Sequence, residues 1–263
     1  MANTLQGTTV LVTGAAGGLG KVIATAYLEA GANVAICDIN AERLAAAEEE
    51  LTAVGTAERY LGARTDITDE AAVTALVDAV TARFGRLDIL VNNAGMTDKF
   101  DPVGDLEKAH WDRVLNLNLT GSFLCTKAAV NAMKKQSPAG GTIIQIGSTA
   151  SWHGMSAGVA YTVSKHGVAA LVKSTAGFYG AQGIYAVALM LGGMVDTNIA
   201  DSFRALGGFN QEAYAQSISA GFDAQKAIRT RDVAKYCVFL ADRDVASSAN
   251  GSSIAFNRNW PNA

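Results

Sequence analysis

The chain has 263 residues, 49% of them hydrophobic and 17% charged, with a formal net charge of -3. This much apolar material suits one large core, and a slightly acidic chain without a basic stripe excludes a nucleic-acid partner as the working expectation. Charged runs such as Glu48-Glu49-Glu50 read as solvated helix face rather than a partner site.

Cys37, Cys125 and Cys237 are far apart, form no C-x-x-C pair and have apolar neighbours, so buried reduced thiols are expected. His110, His153 and His166 lack metal-ligand spacing, and no metal site is expected. The first apolar stretch is broken by glycines and has no basic run before it, unlike a secretory signal. No apolar run approaches the roughly 18 residues that cross a bilayer. The expectation is a soluble, cytoplasmic protein with no membrane partner.

Short apolar runs alternate with longer amphipathic ones. In chain order, strands are predicted at 9–13, 33–37, about 59–65, 87–92, 141–147, 185–191 and 253–256. Helices are predicted at 18–30, 41–54, 69–84, 107–136, 158–181 and 231–242. The alternation specifies a single-domain α/β Rossmann fold over residues 1–263: a doubly wound parallel sheet of about seven strands with helices on both faces. The one long irregular stretch, about 197–230, predicts a substrate lid over 198–228.

The first strand runs straight into Gly14-Ala15-Ala16-Gly17-Gly18-Leu19-Gly20 and then a helix. Glycine lets a backbone turn sharply and approach a pyrophosphate, and the helix N-terminus offers free N–H groups. Gly14, Gly18, Leu19 and Gly20 are therefore candidate dinucleotide-binding residues. Asp38, after the second strand and about 20 residues beyond the turn, is placed to accept from the ribose hydroxyls; its alternative is a helix cap. A 2′-phosphate there would meet a carboxylate with no obvious counter-ion, since Arg43 already lies within the next helix. NAD is expected over NADP. Asp66 and Ile67 follow the third strand and could contact the adenine, or Asp66 could be a cap. Asn93-Ala94-Gly95 ends the fourth strand at the carboxyl edge, where open α/β sheets bind ligands; a plain turn is its alternative.

Tyr161 and Lys165 are four residues apart on a predicted helix and share one face. An ammonium near a phenol favours the phenolate, so Tyr161 is a candidate acid/base for an alcohol or carbonyl oxygen. Ser148 ends the fifth strand, where its hydroxyl could orient the same oxygen.

The T-G-x-x-x-G-x-G turn, Asp66-Ile67, Asn92-Asn93-Ala94-Gly95, Ser148 and Tyr161-x-x-x-Lys165 occur in one order along nearly the whole chain. In this the sequence resembles the short-chain dehydrogenase/reductase family, as a divergent member of its classical type. The resemblance implies an NAD(H)-dependent oxidoreductase interconverting a secondary alcohol and a ketone by hydride transfer. It implies Asn118 as a fourth catalytic residue, in a proton relay from Lys165, and Lys165 together with Tyr161 at the nicotinamide ribose. It places Thr197, and the backbone near Val195, at the carboxamide. It also implies a homotetramer or homodimer through the two long helices. A redox-silent dinucleotide-binding scaffold, or a lyase or isomerase on the same fold, is the alternative.

Three departures from the family pattern stand out. The usual Pro-Gly after the sixth strand is replaced within Leu191-Gly192-Gly193, with Leu191 or Gly192 in the proline's place. The usual Glu before that strand is replaced within Gly177-Phe178-Tyr179, and Arg-Val-Asn reads Tyr185-Ala186-Val187. The usual Asp-Gly-Gly near the end reads Asn257-Arg258-Asn259, followed by Trp260. The substrate wall is expected from 96–100 and 151–157, where His153 is either a polar contact or an exposed loop residue. Phe203, Phe209, Tyr214 and Phe222 in the lid either meet an apolar ring or anchor the lid.

Overall fold

Runs such as Thr9–Thr13 and Gly141–Ile146 are buried at every position, which requires a sheet covered on both faces. The computed structural model, which describes residues 4–198 and 200–261, has that sheet. Its strands are β1 (Thr9–Thr13), β2 (Asn33–Asp38), β3 (Tyr60–Arg64), β4 (Ile89–Asn92), β5 (Gly141–Ile146), β6 (Ile184–Leu191) and β7 (Ser253–Phe256). All neighbours pair in parallel, in the order β3-β2-β1-β4-β5-β6-β7. The winding direction reverses between β1 and β4, the crevice where such sheets bind ligands.

Side chains alternate across the sheet. Val10 and Val12 face one core layer, under α1 (Gly18–Glu29), α2 (Ala41–Val54), α9 (Thr230–Phe239) and α10 (Arg243–Ser248). Leu11 faces the other, under α3 (Glu70–Phe84), α5 (Ser122–Lys135) and α6 (Val159–Tyr179). Tyr27 ties α1 to α9 by donating its hydroxyl to Cys237 O at 2.7 Å. Local chemistry sets the helix starts: Asn40 Oδ1 accepts from Arg43 N, and Asp69 Oδ1 from Ala71 N and Ala72 N.

Two differences from the sequence expectation bear on the site. The predicted helix at 107–136 is three pieces: α4 (Lys108–Leu115), a π-helical turn at Asn116–Gly121, and α5. Such a turn often marks a functional position, and here it swings Asn118 inward. The stretch predicted as irregular contains α7 (Ala200–Ala205) and α8 (Gln211–Gln216), the latter capped by Asn210. The three cysteines are free and buried, as expected, and burial pushes the Cys125 and Cys237 thiols up to about 12. Among the described residues no helix is long and apolar enough to cross a membrane, and none group as metal ligands.

Candidate active site

The site is assembled at the carboxyl edge of β1, β4 and β5. After β1 the chain enters the glycine turn, where Gly14 and Gly18 have φ of +61° and +51°, backbone that favours glycine. Gly17 precedes α1 with no side-chain cap, so the first-turn N–H groups of this 12-residue helix have no side-chain acceptor. That arrangement suits an anion. Leu19 is buried in the core beneath the turn.

Asp38 does not cap α2; Asn40 does. Asp38 Oδ2 instead accepts from Ala16 N at 3.2 Å, and Oδ1 from Asn40 N at 3.0 Å, which fixes the carboxylate beside the glycine turn. Contrary to the sequence expectation, basic side chains are near. Arg64 on β3 pairs in register with Asp38 and donates from Nε to Ile39 O at 3.3 Å. The Arg43 guanidinium is 2.6 Å from Asp201 Oδ2 in α7. Asp66 holds a local turn, its Oδ1 accepting from Thr68 N and Oγ1, while Asp69 caps the helix. Ile67 is buried in the core, its side chain against Gly121.

Asn93 is more than a turn residue. Its Nδ2 donates to Thr13 O at 2.9 Å and Gly14 O at 3.1 Å, while Asn93 N and Ala94 N donate to Thr13 Oγ1. Gly95 lies between Asn118 and Lys165: a Cβ there would sit 3.2 Å from Asn118 Oδ1 and 3.9 Å from Lys165 Nζ. Asn118 Oδ1 accepts from Met96 N at 2.9 Å, and its Nδ2 donates to Met96 O at 2.9 Å and Ser164 Oγ at 3.1 Å. Its own carbonyl accepts from Ser122 Oγ.

Lys165 is buried, donates from Nζ to Ile146 O at 2.9 Å, and places Nζ 5.5 Å from the Tyr161 ring centroid. Burial pulls its ammonium down to about 8. Burial also pushes the Tyr161 phenol up to about 12; the Ser148 hydroxyl beside it pulls the other way, and the Asp98 charge adds to the rise. The sequence expectation of a phenol lowered by its lysine is therefore reversed in the free protein, because desolvation of the phenolate outweighs the nearby cation. Ser148 starts a short 3-10 turn, its Oγ accepting from Ala150 N at 3.2 Å while Ser148 N donates to Ser151 Oγ.

Leu191 is the last residue of β6, and Gly192 N donates to Phe256 O at 3.0 Å, a bond a proline could not make. Val195 is exposed and Thr197 half-buried in the bends that follow. Asn198 lies against Gly17 and Gly18. The aromatic side chains of the 198–228 segment mostly anchor it. Phe203, Phe209 and Tyr214 surround Phe100 at centroid distances of 5.9, 6.2 and 5.0 Å, and Phe222 packs on Trp260 at 4.7 Å. His153 keeps its Nε2 buried without a hydrogen-bond partner among the described residues.

Comparison with known proteins follows the same architecture. The model of a family described as short chain dehydrogenase matches residues 8–206. The short chain dehydrogenase/reductase dpchG of Colletotrichum higginsianum is 45% identical over 258 residues, 97% of this chain and 94% of that one. Levodione reductase has a similar solved structure, with a TM-score of 0.86 and 28% identity over 98% of this chain and 99% of that one. An actinorhodin polyketide ketoreductase variant with NADPH has a TM-score of 0.84 and 29% identity over 100% of both chains.

The chain belongs to the short-chain dehydrogenase family. It is an oxidoreductase of a family that binds nicotinamide dinucleotides, and the uncapped start of α1 with its glycine cradle fits the pyrophosphate of such a group. One residue of this short-chain dehydrogenase escaped the sequence reading. Asp98, within the stretch expected only as substrate wall, is buried and accepts from Phe100 N, Gly158 N and Tyr161 N. Its signal is not local, since two of these partners are 60 and 63 residues away.

The glycine cradle makes a direct prediction. A methyl group at Gly20 would lie 2.5 Å from Gly14 O and 2.6 Å from Asn93 Nδ2. Gly20→Ala should cost about 1–3 kcal/mol of stability and abolish the rise in melting temperature that a nicotinamide dinucleotide produces. An unchanged melting curve with full protection would refute the close approach.

Proposed function

We propose that this short-chain dehydrogenase interconverts a small-molecule secondary alcohol and ketone, using NAD(H), with Tyr161 as the acid/base. The observation that carries this reading is the meeting of a half-buried tyrosine, a buried ammonium and a strand-end hydroxyl beside Gly95 and Asn118. A nicotinamide dinucleotide held there supplies or accepts the hydride. The Tyr161 hydroxyl gives its proton to the carbonyl oxygen in reduction, leaving the phenolate, and in oxidation that phenolate takes the proton from the alcohol. Ser148 orients that oxygen. Lys165 stabilises the phenolate, and Asn118 holds the Met96 backbone beside it and links Lys165 to a proton relay.

Gly14, Gly18, Leu19 and Gly20 receive the pyrophosphate, Asp38 the adenosine ribose, Asp66 and Ile67 the adenine side, and Asn93, Ala94 and Gly95 the next stretch of the dinucleotide. Tyr161 and Lys165 serve the nicotinamide ribose, Val195 and Thr197 the carboxamide. The segment 198–228 is the substrate lid, supported by the Arg43–Asp201 ion pair and by the aromatic packing on Phe100. Free buried thiols support a cytoplasmic setting.

A phenol pushed up to about 12 beside an ammonium pulled down to about 8 suits proton donation in ketone reduction at neutral pH. Nicotinamide absorbance with a panel of ketones and alcohols tests the reading. Tyr161→Phe should lower kcat about 10²–10⁴-fold while dinucleotide binding persists. Reduction should lose rate on the alkaline side with a midpoint near 8, as Lys165 gives up its proton. Dinucleotide binding without turnover on any substrate would favour a redox-silent scaffold instead.

The preference for NAD rests on the Asp38 carboxylate and on the engagement of Arg43 by Asp201. Asp38→Ala should raise kcat/KM with NADP relative to NAD about tenfold or more, the equivalent of about 1.4 kcal/mol. An unchanged ratio would sink the assignment.

Exposed Phe123 on α5 and Val163 and Phe178 on α6 support a homo-oligomer built through these helices. Phe178, 77% exposed, is the most open of the three. Phe178→Asp should shift the mass measured by light scattering toward the monomer; a wild type already monomeric at micromolar concentration would end the proposal.

A further inference from the structure

Helix α6 begins without a cap of its own. The residue before it is Gly158, which has no side chain to accept from the first-turn amides. The acceptor comes from the loop after β4. Asp98, 1% exposed, takes Gly158 N on Oδ1 at 2.9 Å and Tyr161 N on Oδ2 at 2.8 Å. Its Oδ1 also takes Phe100 N at 3.1 Å. Gly158 must be this small, because a Cβ there would lie 2.6–2.7 Å from the carboxylate atoms.

Three donors meeting one side chain call for a group that only accepts, and an ionised carboxylate is that group. Its charge also suits the positive end of a 21-residue helix. The third donor reaches the lid. Phe100 has φ of +65°, a conformation that L side chains rarely adopt, and its ring is the one on which Phe203, Phe209 and Tyr214 pack.

We propose that Asp98 is a positioning residue: its single buried carboxylate anchors both the helix turn that presents Tyr161 and the Phe100 platform that carries the 198–228 segment. The proposal rests on Tyr161 being the acid/base. The same carboxylate faces the phenol, whose other neighbours are Lys165 on α6 and the Ser148 hydroxyl after β5, with Asp101 behind Asp98. A negative charge there favours the neutral phenol.

Two variants separate position from charge. Asp98→Asn removes the charge and turns one acceptor into a donor against a backbone N–H. Gly158→Ala keeps the charge and displaces the carboxylate. Both should lower kcat about 10- to 100-fold, as a displacement near 1 Å does, with KM for the dinucleotide changed less than about threefold. Amide exchange at Gly158 and Tyr161 should speed up in both, a readout independent of turnover. In alcohol oxidation the acid limb should move to lower pH in Asp98→Asn and stay in place in Gly158→Ala. The proposal is overturned if kcat stays within about twofold in the variants that fold, or falls only with the folded fraction, or if exchange at the two amides is unchanged. A wild type without turnover would instead defeat the proposed function, while the exchange measurement would still decide the anchor. Should Asp98→Asn fail to fold, Gly158→Ala decides alone.

Discussion

Buried backbone without regular structure must still pair its N–H and C=O groups, and the segment from Asn93 to Phe100 is where this constraint organises the molecule. Met96, Thr97, Asp98 and Phe100 are buried, yet none belongs to a helix or strand. Each pairing therefore reaches out to a different element. Thr13 Oγ1 takes the amides of Asn93 and Ala94, fixing the segment to β1. Asn118 takes both backbone groups of Met96, fixing it to the π turn, and then Ser164 on α6. Asp98 closes the loop onto the start of α6. Side-chain bonds, not a sheet ladder, hold this segment between the glycine turn and Tyr161.

That tight setting has an electrostatic consequence. Both members of the Tyr161–Lys165 pair are desolvated, so the phenol rises and the ammonium falls. Proximity along a helix alone would suggest the opposite for the tyrosine. A cation whose Nζ lies 5.5 Å from the ring centroid does not offset the loss of water around the phenolate oxygen. Desolvation thus favours the neutral form of each group, the phenol more firmly than the amine, which keeps its charge below about 8.

Much of this was legible in the chain. Short apolar runs placed all seven strands to within two residues, and glycine spacing placed the turn after β1. What stayed hidden was brought together by topology. Arg64 sits beside Asp38 only because β2 and β3 pair in parallel register, and nothing near either residue announces it. The π turn interrupts a sequence read as one helix, and the partners of Asn118 there, Met96 and Ser164, lie 22 and 46 residues away. Asp98 reads as one more polar loop residue until its partners 60 residues on are known. Asp38 and Asp66 were each open between cap and ligand contact; Asn40 and Asp69 turn out to be the caps, which leaves both carboxylates with local turn bonds.

The departures from the family pattern form a connected structure of their own. Gly192, standing directly after β6, uses its amide to extend the β6–β7 pairing to Phe256. Gly193 next to it leaves room for the Phe222 ring, and Phe222 in turn packs on Trp260. Trp260 is brought there by Arg258 and Asn259, both at positive φ (+50° and +55°), with Asn257 Oδ1 accepting from Asn259 N and its Nδ2 donating to Pro261 O. A Gly-Gly pair at 258–259 would make the same bend with less strain. The second half of the 198–228 segment is thus tethered to the turn at 257–261, as its first half is tethered to Phe100.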